Sequence, residues 1–168
     1  MMADPLALAV VLAGTGTGAA VDLRVRRVPN ALTVSLAGAG VALAMMGLTH
    51  VGVAAALAGC LLGAVLMLPG YLLGATGGGD VKLLAAAGTL LGPAGIVWAF
   101  VLTLIIGGAI AVAVAASRHR LALTVHRTLA LVGSAGANAP EIEGTGSANR
   151  FAYAPAIAIG ATLAAVLA

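Results

Sequence analysis

Residues 77–106 read GGGDVKLLAAAGTLLGPAGIVWAFVLTLII, and this stretch decides how the chain crosses a membrane. It contains the apolar run Val81 to Leu91 and most of a second run, Ile96 to Ala116, with Pro93 between them. The first run has only about eleven residues, a length that by itself fits a re-entrant or buried segment better than a full crossing. The placement of charged residues in the rest of the chain has to decide between a re-entrant or buried segment and a full crossing.

The composition of the whole chain is that of an integral membrane protein. Of its 168 residues, 62% are hydrophobic and 8% are charged, and the mean hydropathy is +1.16. Such a chain is too apolar for an ordinary soluble domain, so lipid must be its solvent. Lipid cannot satisfy backbone hydrogen bonds, and long apolar runs without alternation favour helices over a closed barrel. We therefore expect an all-α helical bundle that forms one membrane domain over residues 1–168.

The candidate transmembrane helices are six apolar runs: Leu6 to Val21, Ala31 to Leu48, Val51 to Leu73, Val81 to Leu91, Ile96 to Ala116 and Phe151 to Ala168. If all six cross with the N-terminus outside, every Lys and Arg falls on the cytoplasmic side. If the fourth run did not cross, the segment from Arg118 to Arg150 would move outside and the positive-inside bias would be largely lost. We therefore predict six spans in a bacterial or archaeal inner membrane, both termini outside, and a cytoplasmic loop over residues 117–150.

Several other classes of function are disfavoured by the same composition. The formal charge of +3 and the pI near 9.8 come from eight Lys and Arg residues that fit basic loops facing anionic lipid, so no nucleic-acid partner is expected. The single cysteine, Cys60, excludes an internal disulfide and a Cys-rich zinc module. The three histidines lack metal-ligand spacing, so we predict neither metal nor cofactor. A signal peptide would be basic near its start, whereas this chain has Asp4 there, so no removable signal peptide is expected.

Ionisable groups beside membrane spans are costly and so indicate function. The acidic residues that border the predicted core spans are Asp4, Asp22 and Asp80. We expect Asp4, at the outer end, to be a solvated terminus. Asp22 ends the first span and Asp80 begins the fourth, which places both at the same cytoplasmic depth in the six-span topology. The two carboxylates can therefore meet across the bundle.

Two close carboxylates are useful in hydrolysis because like charges cannot both ionise cheaply. One carboxyl group keeps its proton while the other acts as a base toward water. Asp80 is predicted at a helix N-terminus, where the helix dipole favours the anion, and Asp22 at a helix C-terminus, where it does not. As a hypothesis, Asp80 is the readier base and Asp22 the readier acid. Glycines tolerate positive φ, so the run Gly77-Gly78-Gly79 before Asp80 is expected to let another chain, such as a substrate backbone, come close to the main chain. A flexible hinge or a phosphate-binding loop is the alternative.

Three segments carry a resemblance to a known family. They are Asp22-Leu-Arg-Val-Arg-Arg-Val-Pro-Asn30, Gly77-Gly-Gly-Asp80-Val-Lys82 and Arg150-Phe-Ala-Tyr-Ala-Pro155-Ala-Ile-Ala-Ile-Gly160. In this order they resemble the signatures of the type IV prepilin peptidases, which are membrane aspartic proteases of the GxGD class. The third segment departs from the family pattern at Ala152, where relatives often have proline. The resemblance covers essentially the whole chain.

The resemblance implies an endopeptidase that removes a short basic leader from prepilins or pseudopilins, with the catalytic aspartates at Asp22 and Asp80. Larger members of the family carry two CxxC pairs and a methyltransferase function in an early cytoplasmic loop. This chain has one cysteine and a short loop between Asp22 and Ala31. It is therefore similar to the minimal, peptidase-only form of Flp/Tad pilus systems, the CpaA and TadV type.

Neighbouring residues are expected to bind substrate or to shape the site: Gly77, Gly78, Gly79, Lys82, Arg26, Arg27, Pro29, Asn30, Tyr153 and Pro155. Structural roles compete with this interpretation for several of them. The two arginines also fit topology anchors, and Pro29 with Asn30 fits the start of the second helix. Lys82 lies two positions after Asp80, so on a helix it points elsewhere and is available to lipid phosphate.

Other functions remain open from the residues alone. A presenilin-like protease would share the GxGD pattern but cut within a span. A small transporter or channel subunit would use Asp22 and Asp80 as proton or cation ligands, although both acids are predicted at the cytoplasmic side and not at the midplane. A non-catalytic assembly scaffold would keep its function without either aspartate.

Overall fold

The computed structural model describes residues 4–117 and 153–167. Within these ranges the chain forms helices and no strands. The helices are α1 (Pro5–Val25), α2 (Asn30–Met45), α3 (Val53–Leu72), α4 (Gly78–Ser117) and α5 (Ala154–Leu167). The predicted all-α fold is confirmed. The predicted cytoplasmic loop over residues 117–150 lies, apart from Ser117, outside the described residues.

Helix α4 folds back on itself at Gly92, which has φ 66° and ψ −177°. A backbone of this kind is open essentially to glycine alone. Two interactions of Tyr153 show the reversal, because its ring lies against Gly107 and its phenol interacts electrostatically with Asp80. In a straight helix Asp80 and Gly107 would be about 40 Å apart. Residues 78–91, the first arm, therefore run antiparallel to residues 93–117, the second arm.

Three helices of the described residues are long and apolar enough to cross a membrane: Pro5–Val25, Val53–Leu72 and Gly78–Val114, the last being the folded α4. Asn30–Met45 and Ala154–Leu167 are apolar but shorter. The chain is thus a helical membrane protein. Six crossings stay a prediction, because the first arm and both short helices rise less than the thickness of the hydrocarbon core, about 30 Å.

The first arm of α4 lies at the centre of the bundle, where Leu83 and Leu84 are fully buried. Small residues of three helices face this arm: Gly18 of α1 lies against Leu83, Gly40 of α2 against Thr89, and Gly59 of α3 against Gly88. The second arm contacts α5, where Gly160 lies against Thr103. Gly14, Gly18, Gly59 and Gly63 each face side chains or backbone of a neighbouring helix, so small residues at these positions let the helices approach closely.

The contacts between helices define two ends of the bundle. At one end, the carboxylate of Asp4 accepts a hydrogen bond from the backbone N–H of His50 at 3.2 Å, and Val51 lies against Gly92. The other end, called the site end below, holds Asp22 in the last turn of α1 and Asp80 in the first turn of α4. The fold thus separates the two aspartates of the predicted pair from Asp4.

Candidate active site

Asp22 is 7% exposed and lies in the last turn of α1. Its carboxylate accepts a hydrogen bond from the backbone N–H of Ala154, the first residue of α5. The helix is capped by Arg26, whose N–H donates to the carbonyl of Asp22 at 2.7 Å and whose φ of 54° is left-handed. This conformation is uncommon outside glycine. It turns the chain toward α2 and leaves the Arg26 guanidinium close enough to act on the Asp22 carboxylate.

Asp80 is also 7% exposed, and a hydrogen-bonded turn holds it at the start of α4. Its Oδ2 accepts from the backbone N–H of Gly77 at 3.0 Å, while its own N–H donates to the Gly77 carbonyl at 3.0 Å. The side-chain bond is one half of a capping box, in which the third helical residue reaches back to the N-cap N–H; Gly77 has no side chain to make the other half. The carboxylate therefore satisfies a backbone donor of the helix start and is fixed in orientation.

The structure brings the two aspartates together in one cleft of about 380 Å³. The Asp22 carboxylate is close enough to Asp80 for the two charges to repel. The other residues lining the cleft are Arg26, Arg27, Val28, Pro29, Asn30, Gly77, Gly78 and Gly79. The cleft is therefore formed by the two motifs that the sequence singled out around Asp22 and Asp80.

A second cavity, of about 410 Å³, lies between α1 and α2. Its lining is almost entirely apolar, with Ser35 the polar exception, and it contains no ionisable side chain. It offers nothing that could activate water. The cleft at the site end is the better candidate for chemistry.

The three glycines before Asp80 contribute by lacking a side chain. They do not use the positive φ that glycine tolerates, since the glycines with positive φ in the described residues are Gly47, Gly74 and Gly92. A Cβ on Gly79 would lie 3.1 Å from the Cβ of Val28, tighter than an ordinary contact. The absence of that atom lets the connection between α1 and α2 close over the start of α4.

Lys82 does not line the cleft but supports it from outside. Its Nζ donates to Oδ1 of Asn30 at 2.9 Å, which links the second turn of α4 to the first residue of α2. The side chain thus points away from Asp80, as the helical spacing predicts. Its hydrogen-bond partner among the described residues is Asn30, a member of the first motif.

Two parts of the third motif lie at the site: the backbone N–H of Ala154 and the ring of Tyr153. Tyr153 is half-buried immediately before α5, and Pro155 lies in the first turn of that helix without lining the cleft. Burial, and after it the nearby Asp80 carboxylate, raises the pKa of the Tyr153 phenol above its ordinary value. The phenol therefore lies within electrostatic reach of Asp80.

Sequence reasoning missed three contributors to this site: Val28, the backbone N–H of Ala154, and Gly107. Val28 is apolar, so its sequence position suggests a packing role. A backbone N–H donor cannot be recognised from the residue type. Gly107 is one of 24 glycines in the chain. No signal in a single sequence separates it from the others.

The predicted helix ends of the two aspartates are confirmed, since Asp22 lies in the last turn of α1 and Asp80 in the first turn of α4. The Asp22 carboxylate also accepts from the first N–H of α5, and the N-terminal dipole of that helix favours an anion. This second helix reduces the contrast expected from α1 alone. The assignment of Asp80 as base and Asp22 as acid stays a prediction.

The fold and cleft define a helical membrane protein with a buried pair of carboxylates at one end of its bundle. A family model described as the type IV leader peptidase family matches residues 8–112. The chain belongs to this family, which confirms the resemblance seen in the sequence. The match includes Asp22 and Asp80 and ends before Tyr153. No curated protein and no solved structure matches the chain.

Proposed function

We propose that this chain is an aspartic endopeptidase that cleaves the basic leader peptide from type IV or Flp prepilins or pseudopilins. Asp22 and Asp80 are the catalytic pair of this proposal. The observation that supports it most is that the two carboxylates, from separate motifs, line one cleft and repel each other. Two carboxylates that are close enough to repel favour sharing one proton. Hydrolysis by a carboxylate pair requires this state, with one group protonated and the other ionised.

The reaction proposed for this pair needs one water molecule and no covalent intermediate. The ionised carboxylate takes a proton from water as the water oxygen attacks the carbonyl carbon of the scissile bond. The protonated carboxyl group donates its proton toward the leaving nitrogen as the C–N bond breaks. Each carboxylate already accepts one backbone N–H, from Ala154 or Gly77, so its orientation is set before substrate arrives.

The distribution of positive charge supports a cytoplasmic site. Every Lys and Arg of the described residues lies at the site end: Arg24, Arg26, Arg27 and Lys82. The positive-inside rule then favours a cytoplasmic position for this end, with six crossings and both termini outside. A substrate whose apolar segment lies in the bilayer would present its basic leader to the cleft from the same side.

The test is co-expression with a candidate prepilin, following loss of the leader by gel shift. Asp22→Asn and Asp80→Asn each remove one ionisable group with little change in shape, and each is expected to lower cleavage by at least about 100-fold. The double variant is expected to be no worse than either single one, because the pair acts as a unit. Asp4→Asn is the matched control, because Asp4 lies at the opposite end of the bundle, and it is expected to cleave normally.

Cleavage that survives Asp22→Asn or Asp80→Asn, with the variant inserted in the membrane, would remove that residue from the pair. A transporter has less support, because both carboxylates lie at one end of the bundle and not at the midplane where transport sites are built. Liposome uptake that is lost in Asp80→Asn while leader cleavage persists would replace the peptidase proposal with a transporter.

A further inference from the structure

The ring of Tyr153 packs against Gly107 in the second arm of α4, and Gly107 is called the seat of the ring below. A Cβ added at Gly107 would lie 2.7 Å from Cε2 of Tyr153 and 2.8 Å from its hydroxyl oxygen. Both distances are far below a van der Waals contact of about 3.5 Å. The next residue, Gly108, has no atom within 4 Å of an added Cβ. The need for glycine is therefore specific to position 107.

Tyr153 and the residue that follows it connect this seat to both aspartates. The phenol interacts electrostatically with Asp80, and the N–H of Ala154 donates to the Asp22 carboxylate. The Tyr153 carbonyl accepts from the N–H groups of Ala156 and Ile157 at 3.0 and 3.2 Å. The backbone between the two contacts thus belongs to the first turn of α5. One turn of the chain thus interacts with both members of the pair.

We propose that Tyr153, seated on Gly107, is a positioning residue that holds the carboxylates of Asp22 and Asp80 at their working separation. This inference rests on the proposed peptidase function and extends it to a residue outside the two aspartate motifs. The ring fixes where α5 begins, so the Ala154 N–H stays on Asp22. Without the ring, the start of α5 can shift, and a carboxylate displaced by about 1 Å loses much of its catalytic effect.

The first experiment measures kcat and KM for leader cleavage in matched glycine variants. Gly107→Ala is expected to lower kcat by about 10- to 100-fold with little change in KM, because the ring is displaced but the cleft remains. Gly108→Ala is expected to behave as the unchanged protein. In a Tyr153→Ala background, Gly107→Ala should add no further loss, because there is no ring to displace. Tyr153→Phe keeps the ring and should keep most of the activity.

Two results of this experiment would overturn the proposal. One is a kcat for Gly107→Ala equal to that of Gly108→Ala. The other is a loss from Gly107→Ala that is undiminished in the Tyr153→Ala background. Either would show that the ring and its seat do not act together on the aspartates.

A second experiment does not depend on cleavage. The chain has two tyrosines, so Tyr71→Phe leaves Tyr153 as the single phenol, and its titration can be followed by tyrosinate absorbance. Its pKa is expected above the ordinary value of about 10. Adding Asp80→Asn should lower the pKa, because a neighbouring negative charge no longer opposes ionisation. Asp4→Asn should leave it unchanged.

Within residues 4–117 and 153–167, Asp80 on α4 acts on this phenol, Asp22 on α1 acts on Asp80, and Arg26 acts on Asp22. Lys82, on the same helix as Asp80, is directed to Asn30. An Asp80→Asn variant that leaves the Tyr153 titration unchanged would overturn the placement. A Tyr153 pKa that is raised and that falls in Asp80→Asn, in a protein that cleaves no prepilin, would instead contradict the proposed function and keep the placement.

Discussion

The backbones of Gly59 in α3 and Gly88 in the first arm of α4 are in direct contact. A Cβ added to either glycine would overlap the carbonyl oxygen of the other. Membrane helices approach this closely only where small residues face each other. Because the first arm begins at the turn that carries Asp80, this contact helps to set the position of the cleft relative to α3.

Alanine at either glycine is expected to destabilise the protein. Gly59→Ala and Gly88→Ala should each lower the free energy of unfolding by about 1–3 kcal/mol, since the helices must separate to admit the methyl group. Gly38→Ala is the control, because an added Cβ there meets nothing within 4 Å, and it should stabilise α2 by about 0.5–1 kcal/mol. Thermal unfolding in detergent measures all three. Equal stability of Gly88→Ala and Gly38→Ala would contradict the contact.

The hydrogen bond from Lys82 to Asn30 should couple α4 to the wall of the cleft. Lys82→Met is expected to lower kcat/KM for cleavage. The connection between α1 and α2, which includes residues 26–29 of the cleft wall, then loses its hydrogen bond to α4. The effect on stability should be small, about 0.5–1.5 kcal/mol. In a double-mutant cycle, Lys82→Met should cost little more once Asn30→Ala is present. Fully additive losses would indicate that Lys82 acts elsewhere, for example on lipid phosphate.

The left-handed conformation of Arg26 should be measurable as strain. Arg26→Gly and Arg26→Ala both remove the guanidinium near Asp22, so cleavage should fall alike in the two variants. Only glycine adopts a φ of 54° without steric cost, so Arg26→Gly should be more stable than Arg26→Ala by about 1–2 kcal/mol. Paired unfolding curves give the difference. If the two curves coincide, the turn after α1 is not left-handed in solution.

Asp4 should give stability a dependence on pH that is unrelated to cleavage. Burial alone would raise the pKa of Asp4, but backbone N–H donors from Ala7, His50 and Leu6 together lower it below its ordinary value. The stabilisation is therefore complete above the unfolded pKa of about 3.9 and is lost as the pH falls through the lower folded pKa. Asp4→Ala removes the cap and should cost about 0.5–2 kcal/mol at neutral pH.

Asp4→Asn is the variant that isolates the charge of this cap. Asparagine still accepts the N–H bonds of the helix start, so the stability should be kept near neutral pH while the acid-dependent part disappears. Unfolding measured from neutral to acidic pH distinguishes the two variants. An unchanged acid dependence in Asp4→Asn would assign that dependence to other carboxyl groups.

Much of this arrangement could be predicted from the sequence, because hydropathy alone places Asp22 and Asp80 at helix ends. The end of α2 was predicted less well, since the apolar run was continued to Leu48 while the helix stops at Met45. Gly47 has φ 66°, and the Leu48 N–H donates to the Leu43 carbonyl at 3.0 Å. This Schellman-type ending depends on backbone conformation and not on hydrophobicity.

The part of the site that could not be predicted depends on distances between helices. The Ala154 N–H on Asp22 and the Tyr153 ring on Gly107 both require α5 to dock at one height beside α1 and α4. Periodicity gives no measure of such a height. The left-handed turn at Arg26 was likewise hidden, since arginine is a residue that rarely adopts it.

The reversal at Gly92 also bears on how deep the carboxylates lie in the bilayer. The first arm, residues 78–91, rises only about 21 Å, against a hydrocarbon core of about 30 Å. With Gly92 at the far interface, Asp80 stays several ångströms below the near headgroups, or the bilayer thins locally to meet it. Water then reaches the two aspartates only through the cleft. The length of one short helix, rather than any side chain, would set how far below the membrane surface a peptide bond must be drawn before it can be cut.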